Sequence, residues 1–574
     1  MRSLVLNDAL KTFTLDQDKV LSPEETVRRF RARLASVSLD ILKETVRIDT
    51  GRLGIPVYLS RCGADARRVI GTQKQMGKGA TPSQAEASAV MELAERFSFF
   101  NFVATPSNFQ TAPLATLEGP VLPFEAIAHS VHDDSGDLEA IRPVFEALPF
   151  KWTRAFNLTR GETVSVPFDW FFAINEFNGP SAGNCKEEAI LQGICEVVER
   201  HVCSIVSHDR VRVPAIRAGS SVDPMVDEML AKYARCGVNL VVSDFTLGMG
   251  IPTVGVLAYD PATLPAASEI VWTAGTTPSP AKALSRALTE VAQLAGDFNT
   301  AANYVASGLP KPRRLEEVDY VTATQSPVEL SALPDLSDPN IRVEIDRCVR
   351  ALATRGFEVL LIETTHPELQ IPAYYTIIPG AHFRERSRST SVAMFSAKHA
   401  AETLPAAKAL RVLETIRAAL PGKYYVEFYL GLVRLNAGDA ETALPHFQSA
   451  LDLSPDAGEA PSIYSYLGSA YKALGRFSEA LDWLGKGIAL DPERTDLHNL
   501  AGFCHFKRGE HAQAIAAFSR VIDLDPTSAI DYANLGVNYQ AVGETKKAIH
   551  CFRLALRLDA GIDFARQHLA RLEA

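Results

Sequence analysis

Apolar residues cover nearly the whole circumference of residues 184–206, NCKEEAILQGICEVVERHVCSIV. Ala189, Ile190, Ile194, Val197, Val198, Val202 and Val206 recur at helical spacing and predict a buried helix. One stripe breaks the pattern, because Gln192, Glu196 and Glu199 follow i, i+4, i+7 and share a single face. The stripe returns twice more. Ser88, Glu92 and Glu95 repeat it in EASAVMELAERF, and Arg286, Glu290 and Gln293 repeat it in AKALSRALTEVAQ. Buried carboxylates demand a cation, a metal or hydrogen bonds, so the three helices are expected to share one polar pocket.

The segments before these helices carry glycine and capping residues. Gly77, Lys78 and Gly79 lead to Thr81, Pro82 and Gln84; Gly179, Ser181 and Gly183 lead to Asn184 as N-cap with Glu187 at N3; Gly275 leads to Ser279 and Pro280. Glycine ahead of a helix N-terminus lets backbone N–H groups approach an anion, and Lys78 adds positive charge; the same GKG also fits a lysine in a flexible turn. Ser22, Pro23 and Glu25 start an earlier helix within residues 21–42. Gly54, Ile55 and Pro56 open a strand at Val57, and related phrases precede residues 254–257 and 374–378. Helices and strands in this order predict an α/β or α+β domain with its site between layers.

Beyond Gly380 the connector HFRERSRSTS, with Arg384, Arg386 and Arg388, reads as a solvated basic linker. From Tyr424 the periodicity becomes a 34-residue helical repeat. Leu430–Gly431, Leu467–Gly468, Ala501–Gly502 and Leu535–Gly536 are equivalent, and Gly438, Gly475, Gly509 and Gly543 mark the turns. Phe447, Leu484, Phe518 and Phe552 fill one second-helix position, and residues 562–573 suit a terminal cap. The expected domains are a lead and helix at 1–44 packed on the next unit, a site domain at 45–385, a linker and helix at 386–423, and repeats at 424–574.

A length of 574 residues with 47% apolar and 22% charged residues describes a globular chain of several domains. The net charge of −10 gives no electrostatic reason for a nucleic-acid partner. Eight cysteines without a CxxC pair read as reduced thiols. The acidic N-terminus is unlike a signal peptide and no long uncharged apolar run occurs, so no membrane partner and a cytoplasmic location are expected. For chemistry, hard divalent cations prefer oxygen ligands and bridge carboxylates to phosphates. Glu92, Glu95, Glu196, Glu199 and Glu290 suit that task, while Arg96, Arg200 and Arg286 suit phosphate oxygens. His201 reads as a core or supporting residue.

SAVMELAER at 88–96, NGPSAGNCKEEAILQGICEVVER at 178–200 and RALTEVAQ at 286–293 resemble the three signature segments of YcaO-domain proteins, over roughly residues 45–385. The tail resembles the tetratricopeptide (TPR) family. The resemblance implies an α+β, α/β-like YcaO domain followed by an all-α TPR superhelix. It implies an ATP and Mg²⁺ site without a Walker A loop, and this sequence has no GxxxxGK[ST]. It further implies that ATP activates a peptide-backbone amide by O-phosphorylation, so that a sulfur, oxygen or nitrogen nucleophile yields a thioamide, azoline or amidine. By matching motif, Glu92, Glu95, Glu196, Glu199 and Glu290 would bind metal and phosphate. Lys78, Ser88, Gln192, Arg286 and Gln293 would line the nucleotide pocket, with Arg96 and Arg200 either joining them or bracing the helices. No catalytic base is assigned. The ending ARLEA departs from the proline-rich tail of azoline-forming members and moves the expectation toward thioamide formation or an accessory role in ribosomal-protein methylthiolation. A non-catalytic ATP-binding TPR scaffold is the alternative from another class. The expected partners are a peptide or protein substrate and a protein bound by the repeats; docking of the repeats on the rest of the chain and homodimer formation are their other uses.

Overall fold

The computed structural model describes residues 4–299, 309–323, 326–383, 390–455 and 458–573, so Arg384, Arg386 and Arg388 of the connector lie outside the described residues. Two units emerge, one from residues 1–134 and 149–390, the other from 135–148 and 391–574.

In the first unit every paired strand named here is antiparallel. Val57–Cys62 lies between Leu42–Arg47 and Lys74–Lys78 in one three-stranded sheet. Thr253–Tyr259 lies between Asn239–Asp244 and Val271–Thr276 in a second. The third runs Gln110–Pro113, Pro149–Asn157, Leu360–Glu363, Ala373–Ile377 and Pro180–Ala182, with Glu162–Pro167 branching from its second strand. Each of the three turn-and-proline phrases thus opens a strand, and the unit is α+β. The helix after Ser22 is Pro23–Ala35, shorter than the span 21–42, because Leu42 already begins a strand.

The three striped segments are the helices Pro82–Ala104, Lys186–His208 and Pro280–Ala295. Their glycines are explained by packing. Gly77 lies inside the strand Lys74–Lys78, where an added Cβ would stand 2.1 Å from Ala89 N and 2.4 Å from Ala85 O of the first striped helix. Gly275 has the same place in the strand Val271–Thr276, with a Cβ 2.3 Å from Ala283 O. The flexible-turn reading of GKG is therefore corrected: Lys78 closes a strand whose backbone presses on a helix. Thr81 Oγ1 caps the first striped helix by accepting from Gln84 N at 3.2 Å. The expected Asn184 cap is also corrected. Cys185 is the N-cap and its Sγ accepts from Glu188 N at 3.5 Å, while the Glu188 carboxylate turns back to accept from Asn184 N and Nδ2 at 2.9 and 3.0 Å.

The second unit is a run of helix pairs: Tyr424–Asn436 with Ala440–Asp452, Ala460–Ala473 with Phe477–Leu490, Thr495–Lys507 with His511–Leu524, and Ala529–Ala541 with Thr545–Leu558. Asp563–Glu573 closes the stack. A Cβ on Gly431, Gly468, Gly502 or Gly536 would meet Phe447, Leu484, Phe518 or Phe552 within 2.5–2.8 Å, which is why this position stays glycine. Residues 135–148 fall inside the span 45–385, yet their helix Leu138–Ala147 belongs to the repeat unit and packs on Val392–Thr403 and Ala406–Ala419. Ile141 and Phe145 are buried in doing so. No helix among the described residues is long and apolar enough to cross a membrane.

Candidate nucleotide site

The striped helices meet around a cavity of about 160 Å³ in the first unit. Ser88, Glu92 and Glu95 reach its wall from the first helix, Gln192 from the second, Arg286 and Gln293 from the third, and Lys78 from the strand beneath. Arg96, Glu196, Glu199, Arg200 and Glu290 are not on that wall. They stand behind it, tied to cations or to the neighbouring helix. Arg286 donates from Nε to Glu199 Oε2 at 3.3 Å and from Nη1 to Gln192 Oε1 at 3.2 Å, and Thr276 N donates to the same Glu199 oxygen at 3.0 Å. Lys78 Nζ pairs with Glu290. Arg96 lies 3.7 Å from Glu92 and 3.4 Å from Glu95, and donates to Phe177 O at 3.2 Å. Arg200 lies 4.0 Å from Glu196 and 3.6 Å from Glu199.

Burial dominates the electrostatics of this cluster. It raises Glu95 well above the ordinary carboxylate range, with the nearby Glu92 and Glu196 adding to the rise and Arg96 opposing it. Glu196 is raised for the same first reason, against the pull of Arg200 and Arg96. Lys78 is brought down to about 7 by burial and the Arg286 charge, even with Glu290 beside it. Among the described residues no three acidic, histidine or cysteine side chains are gathered as a ready-made metal centre. What the structure holds is a set of crowded oxygen donors, each leaning on a cation. Their mutual repulsion and burial are the penalties that a bound divalent cation relieves, so the donor chemistry fits Mg²⁺.

The lead segment contributes walls that the stripe pattern does not reveal. Gln17, Lys19 and Thr26 line the cavity. Asp16 Oδ2 accepts from Ala80 N at 2.8 Å, Glu188 Oε1 from Val20 N at 2.6 Å, and Leu15 O from Lys282 Nζ at 2.7 Å. Among the described residues the Lys19 ammonium has no ion pair or hydrogen bond, so it is a cation free to meet an incoming anion. Lys19 sits in a polar stretch without periodicity, where a single lysine carries no signal. Elsewhere, His201 Nδ1 accepts from His382 N at 2.9 Å and the residue is buried, a supporting role. All eight cysteines are free thiols, and burial pushes Cys185 and Cys195 up to about 12, which removes them as nucleophiles at neutral pH.

Residues 76–382, more than half of the chain, match the family model described as YcaO cyclodehydratase, ATP- and Mg²⁺-binding. Residues 424–493, 467–529 and 532–561 match tetratricopeptide repeat models. A protein of Methanothermobacter thermautotrophicus is 28% identical over 389 residues, covering 63% of this chain and 94% of the relative. The ribosomal protein S12 methylthiotransferase accessory factor YcaO of Escherichia coli is 31% identical over 102 residues, 18% of this chain and 17% of that protein. A heterocyclase solved with substrate and cofactor shares the fold at a TM-score of 0.54 and 23% identity, over 67% of this chain and 55% of the heterocyclase. The chain therefore spans about half the length of that enzyme.

Proposed function

Because the chain belongs to the YcaO family, we propose that it uses ATP and Mg²⁺ to phosphorylate the oxygen of a backbone amide in a peptide or protein. The modification served is thioamide formation or a related reaction, and the repeats recruit the substrate or a partner protein. One observation carries this reading: a single cavity joins the Glu92 and Glu95 carboxylates to Gln192, Arg286, Gln293, Lys78 and Lys19, drawn from five separate parts of the chain.

Mg²⁺ at this site would neutralise phosphate charge and orient the transferred group. Glu92 and Glu95 would hold it at the wall, with Glu196, Glu199 and Glu290 as the acidic reserve behind. Arg286 and Lys19 would donate to phosphate oxygens, and Ser88, Gln192 and Gln293 would hydrogen-bond the polar edges of the nucleotide. Arg96 and Arg200 hold their helices' carboxylates in place. The amide oxygen forms a bond to the γ-phosphorus as ADP leaves. The phosphorylated amide carbon then accepts a sulfur, oxygen or nitrogen nucleophile, and the former amide oxygen departs as phosphate.

Calorimetric titration with a non-hydrolysable ATP analogue, with and without Mg²⁺, tests the site. Wild-type protein is expected to bind only with Mg²⁺, and Glu92→Gln or Glu196→Gln to weaken binding at least about tenfold and to stop turnover while the far-UV spectrum stays unchanged. Unchanged turnover in both variants would overturn the assignment. The repeats favour a second reading, a scaffold that holds ATP as a structural ligand. Under it, Glu92→Ala with Glu199→Ala would leave both partner recovery and cellular phenotype intact; loss of phenotype with recovery preserved removes it.

A further inference from the structure

Behind the nucleotide cavity lies a second one of about 40 Å³, which shares Gln17, Lys19, Glu188 and Gln192 with the first and is closed by Asp18, Lys282 and Glu344. The residues common to the two come from the lead segment and from the second striped helix. The lead segment enters along the start of the helix Ile341–Ala353, where Lys11 N donates to Pro339 O at 2.9 Å and Ile341 N donates to Ala9 O at 2.9 Å. It then doubles back on itself: Lys19 N donates to Phe13 O at 2.8 Å, and Thr12 N and Phe13 N donate to Lys19 O at 3.0 and 3.1 Å. Little apolar burial holds this loop. Leu10 and Leu15 are 62% and 49% exposed, so its place depends on polar contacts.

Besides the Asp16 and Val20 hydrogen bonds, those contacts include an ion cluster with two buried members. Lys11 Nζ lies 2.7 Å from Asp18 Oδ2 and 2.5 Å from Glu344 Oε1, with the Lys11 and Glu344 side chains only 6% and 1% exposed. Glu344 Oε1 also accepts from Asp338 N at 3.2 Å, while the buried Glu344 Oε2 has no hydrogen-bond partner among the described residues. Asp18 is the residue next to Lys19. We infer that the Lys11–Asp18–Glu344 cluster is a positioning device, by which a helix outside all three striped segments fixes the Lys19 ammonium in the nucleotide cavity. The inference rests on the nucleotide reading of that cavity. Glu344 and Asp18 never touch the ligand; they act through Lys11 and the loop.

The physical argument is one of preorganisation. A lysine on an exposed loop carries large rotamer and backbone freedom, and ordering it on binding costs affinity. A buried ion triad spends that ordering during folding, and removing one partner leaves the other charges uncompensated. Binding of a Mg²⁺-dependent, non-hydrolysable ATP analogue to the full chain tests this through a double-mutant cycle. Lys11→Met and Lys19→Met are each expected to weaken binding about tenfold, and the double variant to bind no worse than Lys19→Met alone. Lys11→Arg is expected to restore most of the loss, and hydrogen exchange at residues 12–20 to be fast in Lys11→Met but unchanged in Lys19→Met. Additive losses in the double variant, or wild-type affinity in Lys11→Met, would overturn the inference. If Lys11→Met misfolds, Asp18→Asn takes its place in the same cycle. Glu92→Gln run alongside separates the two failures: binding that survives Glu92→Gln defeats the nucleotide reading itself, whereas binding lost there but indifferent to Lys11 defeats only the positioning device.

Discussion

The two units of this molecule solve opposite problems with the same residue types. In the repeats, each phenylalanine or leucine at 447, 484, 518 and 552 packs over a glycine in the preceding helix, and every helix rests on helices adjacent in sequence. Most charge is kept outside, with Arg476 paired to Glu479 and Arg508 to Glu510 at partly exposed positions, and the buried Asp531 carboxylate accepts from Asn499 Nδ2 and Ser528 Oγ. In the site unit, glycine lets a strand press on a helix, and five carboxylates stand among three arginines and a lysine drawn from residues 78 to 290. The repeats gain stability from local apolar contacts. The site unit spends stability to crowd acids at and behind one cavity, which is why the proposed nucleotide site is placed there.

The sharpest way to break this contrast is at Gly77. A valine there meets Ala89 N and Ala85 O, so Gly77→Val is expected to cost about 4 kcal/mol or more and to abolish nucleotide binding, read by thermal unfolding and calorimetry. Tolerance of valine would mean that strand and helix are not in fixed contact. In the repeats, Phe518→Ala empties a buried site against Gly502 and is expected to cost about 3–4 kcal/mol. Its hydrogen-exchange signature should be centred on the helices Thr495–Lys507 and His511–Leu524 and their sequence neighbours, as a nearest-neighbour stack requires. Exchange spread evenly over residues 424–573 would count against that locality. The smallest effect is expected at the cap of the first striped helix, where Thr81→Ala removes one acceptor for Gln84 N and should lower stability by about 1 kcal/mol, measured by denaturant unfolding.

Much of this was legible in the chain because the signals are periodic. The i, i+4, i+7 stripes located the three helices, the Ile-Pro phrases located strands, and the 34-residue spacing located the repeats and their terminal helix. Besides the GKG strand and the length of the helix after Ser22, three features escaped. The cap of the second striped helix moved from Asn184 to Cys185 because Glu188 folds back on Asn184, a choice between two neighbouring residues that local pattern leaves open. Residues 135–148 read as part of the site domain, since nothing in a short amphipathic helix announces which core will take it. Lys19 was invisible for a plainer reason: an aperiodic polar loop has no repeat from which to infer a facing surface.

The sequence by itself determined which residues would need one another. Carboxylates at helical spacing inside apolar helices had to find cations, and glycines at fixed intervals had to receive large side chains or neighbouring backbone, because burial penalties act wherever the chain folds. Only the tertiary structure decided who met whom. Arg286 went to Glu199 and Gln192 while Arg96 and Arg200 pair with carboxylates of their own helices, Arg96 also reaching Phe177 O, and Glu344 took Lys11 across more than three hundred residues. Those pairings depend on how sheets and helices stack in space, and sequence separation carries no record of that distance.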